Sequence, residues 1–370
     1  MVVAEAEPLR PTKAAAASGH VGALDGLRFL AFFGVFVFHA LQNSPRLRPW
    51  AVYGALGVQV FFVLSGFLIG GILLQLREDS AVSLGARLKT FYVRRALRIF
   101  PLYYMFLLLL LLLPYVGITQ IGGAEWFVWN ATYLTNVKIY FDGGMGALSH
   151  FWSLAVEEHF YMLSPLVVLL SGTRGLSFGF VALWVACAAA RVWFFVRGDT
   201  HAYVLSPMQF DCMTVGMAAA MIQAHGQFLG IGYERGLRIA TSAAFAVVPL
   251  FALQHVESPF LQLPATALSQ WVFAVAVAGL VLVIWNSKSR GLSRFLSLAP
   301  LPYLGKISYG LYVFHFPCLV LAYAWLSPIM SHGTAIPGLI MTLLVSMLSW
   351  HLFEGPINAQ KRHFSYRRAR

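Results

Sequence analysis

Apolar runs of roughly 17–25 residues recur along this chain, and a run of that length crosses the hydrocarbon core of a bilayer as a single α-helix. A helix satisfies every backbone N–H and C=O within itself, which a bilayer interior demands. The runs are continuous; a β-barrel would instead show short segments that alternate between apolar and polar residues. Only 11% of the 370 residues are charged and 59% are hydrophobic, against about 25% charged in a soluble domain. The chain is therefore read as all-α and integral to the membrane, a bundle of about ten transmembrane helices.

The ten predicted spans are 24–42, 55–76, 99–117, 150–171, 176–197, 207–225, 237–254, 266–285, 303–326 and 336–353. Charge gives them an orientation. With the N-terminus in the cytoplasm, 21 of the 26 Lys and Arg residues fall on the inner side and five on the outer side. That bias follows the positive-inside rule and places both termini in the cytoplasm. The formal charge of +12 is thus topological and does not call for a nucleic-acid partner. Residues 1–22 are expected to be a disordered cytoplasmic tail, since no apolar core follows a basic start as in a signal peptide. Residues 23–355 form the membrane domain and 356–370 a basic cytoplasmic tail. The longest outer connection, 118–149, carries Trp126, Trp129 and Tyr133, suited to the membrane interface. Cys187, Cys212 and Cys318 sit inside apolar runs and read as small buried hydrophobes. No metal site and no permanently bound cofactor are expected, and the sequence sets no oligomeric state.

Polar side chains inside a bilayer are costly and mark function more often than elsewhere. In the first span, Asp25 and Arg28 are spaced to pair. His39 follows Arg28 by eleven residues, close to three turns, so both share a face about 16 Å apart along the axis. His39 fits two descriptions, a histidine bonded to a carbonyl at the outer interface and a proton-transferring imidazole. In the second span Gly66 and Gly70 form a face for close helix packing. Ser65 beside them is a packing residue or a nucleophile. Arg94, Arg95 and Arg98 make a basic face that suits either lipid phosphates or the phosphates of a soluble ligand. Glu157 and Glu158 lie inside the fourth span, where each needs a partner or a proton. Ser153, Glu157 and Tyr161 share one face, with His159 turned elsewhere. In the ninth span Ser308, Tyr312 and His315 share a face. Glu354 ends the tenth span near the inner surface.

These segments, in order, are LDGLR with FH (24–39), GVQVFFVLSGFLI (57–69), RRALRIFP (94–101), FWSLAVEEHFY (151–161), ISYGLYVFHFP (307–317) and FEGP (353–356). Together they resemble the membrane acyltransferase-3 family, from Leu24 to Pro356. The resemblance implies transfer of an acyl group, commonly acetyl, from acyl-CoA to a hydroxyl of a carbohydrate or related acceptor in a bacterial inner membrane. Acceptors in the family include O-antigen and other surface polysaccharides, periplasmic glucans, peptidoglycan, nodulation signals and macrolides. The family histidine corresponds to His39, its R-x-x-R pair to Arg95 and Arg98, and its fourth-helix carboxylates to Glu157 and Glu158. His39 is then expected to be the general base or the acyl carrier, oriented by one of the two carboxylates. Arg28 joins the donor-binding residues. Arg28 or His315 is expected to face the developing oxyanion. Asp25, Tyr312, Ser65 and Asp211 are further substrate-site or structural candidates. The chain departs from the family pattern at His159, where Gln is common, and at Gln209, where Arg commonly stands two positions before the acid corresponding to Asp211. No hydrolase-like domain is expected after the last span. Partners are then acyl-CoA, the acceptor and membrane lipids. The competing readings are acylation of a small molecule such as a macrolide sugar, and, from another class, a secondary transporter, for which no inverted repeat is seen.

Overall fold

The computed structural model describes residues 22–79, 81–116, 126–144, 146, 148–199, 201–225, 233–253, 258–286, 290–326, 333–364 and 366. The expectation for a disordered tail over residues 1–22 lies outside them, except that Gly22 already begins the first helix. Ten long helices are described: α1 (Gly22–Leu41), α2 (Gly57–Glu78), α3 (Leu84–Leu112), α4 (Trp152–Leu170), α5 (Thr173–Val196), α6 (Phe210–His225), α7 (Tyr233–Leu253), α8 (Pro259–Trp285), α9 (Ser308–Leu326) and α10 (Ala335–Ser349). No strand occurs among the described residues. Among the described residues, eight helical segments are long and apolar enough to cross a membrane. The two long helices outside that set are α6, which is apolar but shorter, and α7, whose first turns carry Glu234, Arg235 and Arg238.

Hydropathy misplaced some ends for identifiable reasons. The third span was expected from residue 99, yet α3 starts at Leu84 with Ser83 as its cap, its Oγ accepting from the Ala86 N–H at 3.4 Å. The intervening Arg and Lys residues lower hydropathy but are good helix formers. The ninth span was expected to run unbroken from 303. Instead a short helix, Pro300–Lys306, precedes α9 and packs across α1, where a side chain on Gly305 would meet the Asp25 carbonyl. After α10 the chain makes a π-helical turn, Trp350–Glu354. It then continues as helix through His363. This stretch is docked on the body. Arg94 Nη1 donates to the carbonyls of Lys361 (2.8 Å) and Phe364 (2.7 Å), and its guanidinium lies 4.3 Å from the Tyr366 ring.

Burial separates centre from rim. The most apolar stretches of α2, α4 and α9 are 61, 56 and 50% buried, against 11% for α5. The most extensive helix–helix contact among the described residues is α2 with α6. A methyl group on Gly66 would strike the Met213 carbonyl, and one on Gly216 would strike the Val63 carbonyl. Bare glycines therefore let two backbones touch, the use of small residues expected in a membrane bundle. Gly66→Leu should force the pair apart, at a cost of roughly 1–3 kcal/mol or more. The expected readout is a lower thermal midpoint in detergent and reduced accumulation. An unchanged midpoint would argue against this close approach.

Tyr133 departs from the interfacial placement expected for it. It is buried, at φ 57°, and stacks on Tyr103 with ring centroids 4.5 Å apart and 15° between planes. Trp126 and Trp129 instead flank the Lys138 ammonium, at 4.9 and 5.7 Å.

Candidate active site

Five helices converge on one cavity. Its walls include Arg28 of α1, Ser65 of α2, Arg95 and Arg98 of α3, Ser153, Glu157 and Glu158 of α4, and Ser308 and Tyr312 of α9. Its volume is about 80 Å³, room for several water-sized groups.

The arginines gather at one part of the cavity. Arg28 Nη1 lies 3.3 Å from Asp25 Oδ1, the pairing expected from their spacing. Arg98 stands among Arg28, Arg95, Glu354 and Asp25. Arg95 Nε is buried without a hydrogen-bond partner among the described residues. Lys361, from the docked C-terminal stretch, faces Arg98, Arg95 and Arg94. Arg94, expected to share the basic face, is occupied by the backbone of that stretch. Glu354 is buried in the π-helical turn, where Ser349 Oγ donates to it at 2.8 Å.

Glu157 lies between these cations and α2. Ser65 Oγ donates to Glu157 Oε1 at 2.6 Å, and Arg28, Arg95 and Arg98 surround the same carboxylate. Glu158, 8% exposed, neighbours Arg95. His159 is turned away, its Nδ1 2.6 Å from Ser206 Oγ. Tyr312 OH donates to the His150 carbonyl at 3.0 Å and lies 2.6 Å from Ser153 Oγ.

Three histidines lie next to Tyr312 but do not line the cavity. His39 Nδ1 lies 2.9 Å from His315 Nε2, and His315 Nδ1 lies 2.7 Å from the Tyr312 carbonyl. His150 packs edge-on to His315, with centroids 5.0 Å apart. Two expectations are corrected here. The ring nitrogen contacted by His39 belongs to an imidazole and not to Glu157 or Glu158, the two carboxylates expected to orient it; Glu157 is turned onto Ser65 of α2, and Glu158 neighbours Arg95. His315 is also poorly placed to face an oxyanion, because both its ring nitrogens are engaged. His39 itself is half-buried, whereas His315 is fully buried.

Asp211 is remote from this cavity. Arg191 of α5 meets it at 2.7 Å, and Gln270 donates to its other oxygen at 3.1 Å. The cation missing two residues before Asp211 is thus supplied from a neighbouring helix. Arg191, counted among the outer charges from sequence, is drawn into the bundle by this pairing. Gln209 is buried beside it, donating to the Tyr203 carbonyl at 2.6 Å.

Sequence reasoning missed His150, Lys361 and Arg191. His150 could have been suspected from Pro317. Proline has no N–H, so the carbonyl four residues back loses its helical donor. That carbonyl belongs to Val313, and His150 Nε2 lies 3.4 Å from it. The three cysteines are buried and free. Among the described residues no group of three or more His, Cys, Asp or Glu side chains is arranged to hold a metal ion.

The family described as an acyltransferase domain matches residues 21–351. A provisionally named peptidoglycan O-acetyltransferase of Bacillus subtilis is 27% identical, over 94% of this chain and 56% of that protein. The peptidoglycan O-acetyltransferase OatA of Listeria monocytogenes is 29% identical, over 91% of this chain and 56% of its own length. A provisionally named O-acetyltransferase of Staphylococcus aureus is 24% identical, over 92% and 58%. The chain therefore spans little more than half the length of these relatives. No solved structure matches it. With its six motifs in family order and the family match spanning residues 21–351, the chain belongs to the membrane acyltransferase-3 family.

Proposed function

We propose that this chain transfers an acyl group, acetyl in the first instance, from acyl-CoA to a hydroxyl of a glycan at the bacterial plasma membrane. The observation that carries the reading is one cavity that joins a cluster of arginines to Tyr312, next to the paired imidazoles of His315 and His39. In this reading all ten long helices span the bilayer, both termini are cytoplasmic, and the arginine end faces the cytoplasm. Arg95, Arg98 and Lys361 take the phosphates of the donor, since guanidinium forks match phosphate oxygens. Arg28 extends that positive surface into the cavity. The pantetheine arm threads past Glu157 and Tyr312 and delivers its thioester near His39. Peptidoglycan is the acceptor to which the names of two relatives point.

His39 acts as general base. Its unprotonated nitrogen takes the proton of the acceptor hydroxyl as that oxygen attacks the thioester carbonyl. The tetrahedral intermediate collapses with loss of the CoA thiolate, and the imidazolium returns its proton to the sulfur. Bonds and protons balance without a further reactant. Glu157, held by Ser65, offsets the arginine charge in the cavity wall.

Arg95 and Arg98 are tested through the donor. Arg98→Ala and Arg95→Ala should each raise KM for acetyl-CoA about 10- to 100-fold, the value of a lost charge-assisted hydrogen bond, with kcat largely kept. A donor lacking one phosphate should narrow the difference between variant and parent. Unchanged KM would instead make the arginines lipid anchors. Mass analysis of glycans from cells with and without the gene tests the acceptor, and loss of an acetyl mass increment is the expected outcome.

A further inference from the structure

We propose that His315 is a positioning residue that fixes the tautomer of His39, through a chain of hydrogen bonds starting at the Tyr312 carbonyl. The inference follows from donor and acceptor bookkeeping. A carbonyl oxygen only accepts, so His315 Nδ1, 2.7 Å from it, must carry a proton. His315 is fully buried, and its ring neighbours are Phe32, Phe316, Tyr312, His150 and His39. No carboxylate touches it among the described residues, so nothing compensates a second proton and the ring is neutral. Its Nε2 then bears a lone pair. The contact from that atom to His39 Nδ1, at 2.9 Å, needs one hydrogen, and only His39 can supply it. His39 is therefore protonated on Nδ1, and its Nε2 carries the free lone pair.

The device originates in the backbone of α9. Pro317 removes the N–H that would bond the Val313 carbonyl and crowds that carbonyl with its ring. His150 reaches that carbonyl, and His315 takes the adjacent carbonyl of Tyr312. The Tyr312 carbonyl is the fixed acceptor, and two imidazoles in series carry its direction to His39. An isolated neutral imidazole divides between two tautomers, whereas this arrangement holds one. The partner of a ring nitrogen decides which nitrogen is basic. The role parallels that of the acid in a hydrolase triad, which holds its histidine in the correct tautomer and orientation, but here the partner is uncharged.

The catalytic meaning rests on His39 being the base, while the tautomer does not, so the two are tested separately. The full chain with 15N-histidine, in lipid bilayers, should show by solid-state NMR one Nδ1-protonated ring with a bare Nε2 that is lost in His39→Ala. In His315→Phe the His39 signal should move to the Nε2-protonated form, and kcat should fall about 10- to 100-fold with KM for acetyl-CoA unchanged. His315→Gln, whose Oε1 can accept from His39 Nδ1, should keep the tautomer and recover most of kcat. An Nε2-protonated His39 in the parent protein overturns the proposal whether or not the variants fold. So does a tautomer that ignores His315→Phe. If the tautomer is as stated but His39→Ala still transfers acyl groups, the relay stands and the function proposed for His39 falls.

Discussion

The His39→Ala variant is expected to insert and accumulate like the parent chain and to lose acyl transfer by roughly 10²–10⁴-fold, the contribution of a positioned general base. Its side chain is half-buried and packs against Phe38 and Phe316, so truncation opens little of the core. The structural penalty is the His315 nitrogen left without its donor, about 1–3 kcal/mol. That cost lowers stability slightly and leaves membrane insertion intact. The measurement is acetyl transfer to glycan, normalised to the amount of variant in the membrane fraction. Transfer at the parent rate would remove His39 from the mechanism. Equal loss of protein and activity would show a structural role. His39→Gln keeps a polar group at the position but provides no base of comparable strength, and it should be as inactive as the alanine variant.

The second large effect concerns stability. Arg191→Leu or Asp211→Leu alone should cost about 3–5 kcal/mol, the penalty for stranding one charge of a buried pair. Asp211 is fully buried, and the Arg191 side chain is only 10% exposed. Arg191 also donates to the carbonyls of Met208 (3.1 Å), just before α6, and of Ala267 (3.2 Å) in α8, so with its Asp211 bond it ties α5 to α6 and α8. The double variant Arg191→Leu/Asp211→Leu should recover part of the loss, because no charge is then left uncompensated. Thermal unfolding in detergent measures all three. Independent, additive effects of the two single changes would show that the pair is not coupled.

Much of the fold was readable in the sequence. Hydropathy is a local property, and the helix-length apolar runs located the long helices of the bundle. The same reading marked the side chains that did not belong in lipid, and Arg28, Arg95, Arg98, Glu157, Glu158, Ser65 and Tyr312 do share one cavity. The Asp25–Arg28 pair was also accessible, since both ends lie on one helix three residues apart.

What could not be read was which polar groups meet. His39 and His315 are 276 positions apart, and nothing in either span sets the rotation of α1 against α9. Glu157 or Glu158 was expected beside His39, yet Glu157 lies on Ser65 and Glu158 beside Arg95. Arg191 sits in a different helix from the position at which the family pattern places its cation, and Tyr133 is buried against Tyr103. Each case depends on how far one helix is rotated and how closely it approaches its neighbour. Those quantities are decided between helices, by glycines that let backbones touch and by carbonyls that proline frees. The sequence by itself determined the helices and the short list of costly polar residues. Only the tertiary structure decided their partners, because a buried polar group takes whichever complementary atom packing brings within about 3 Å.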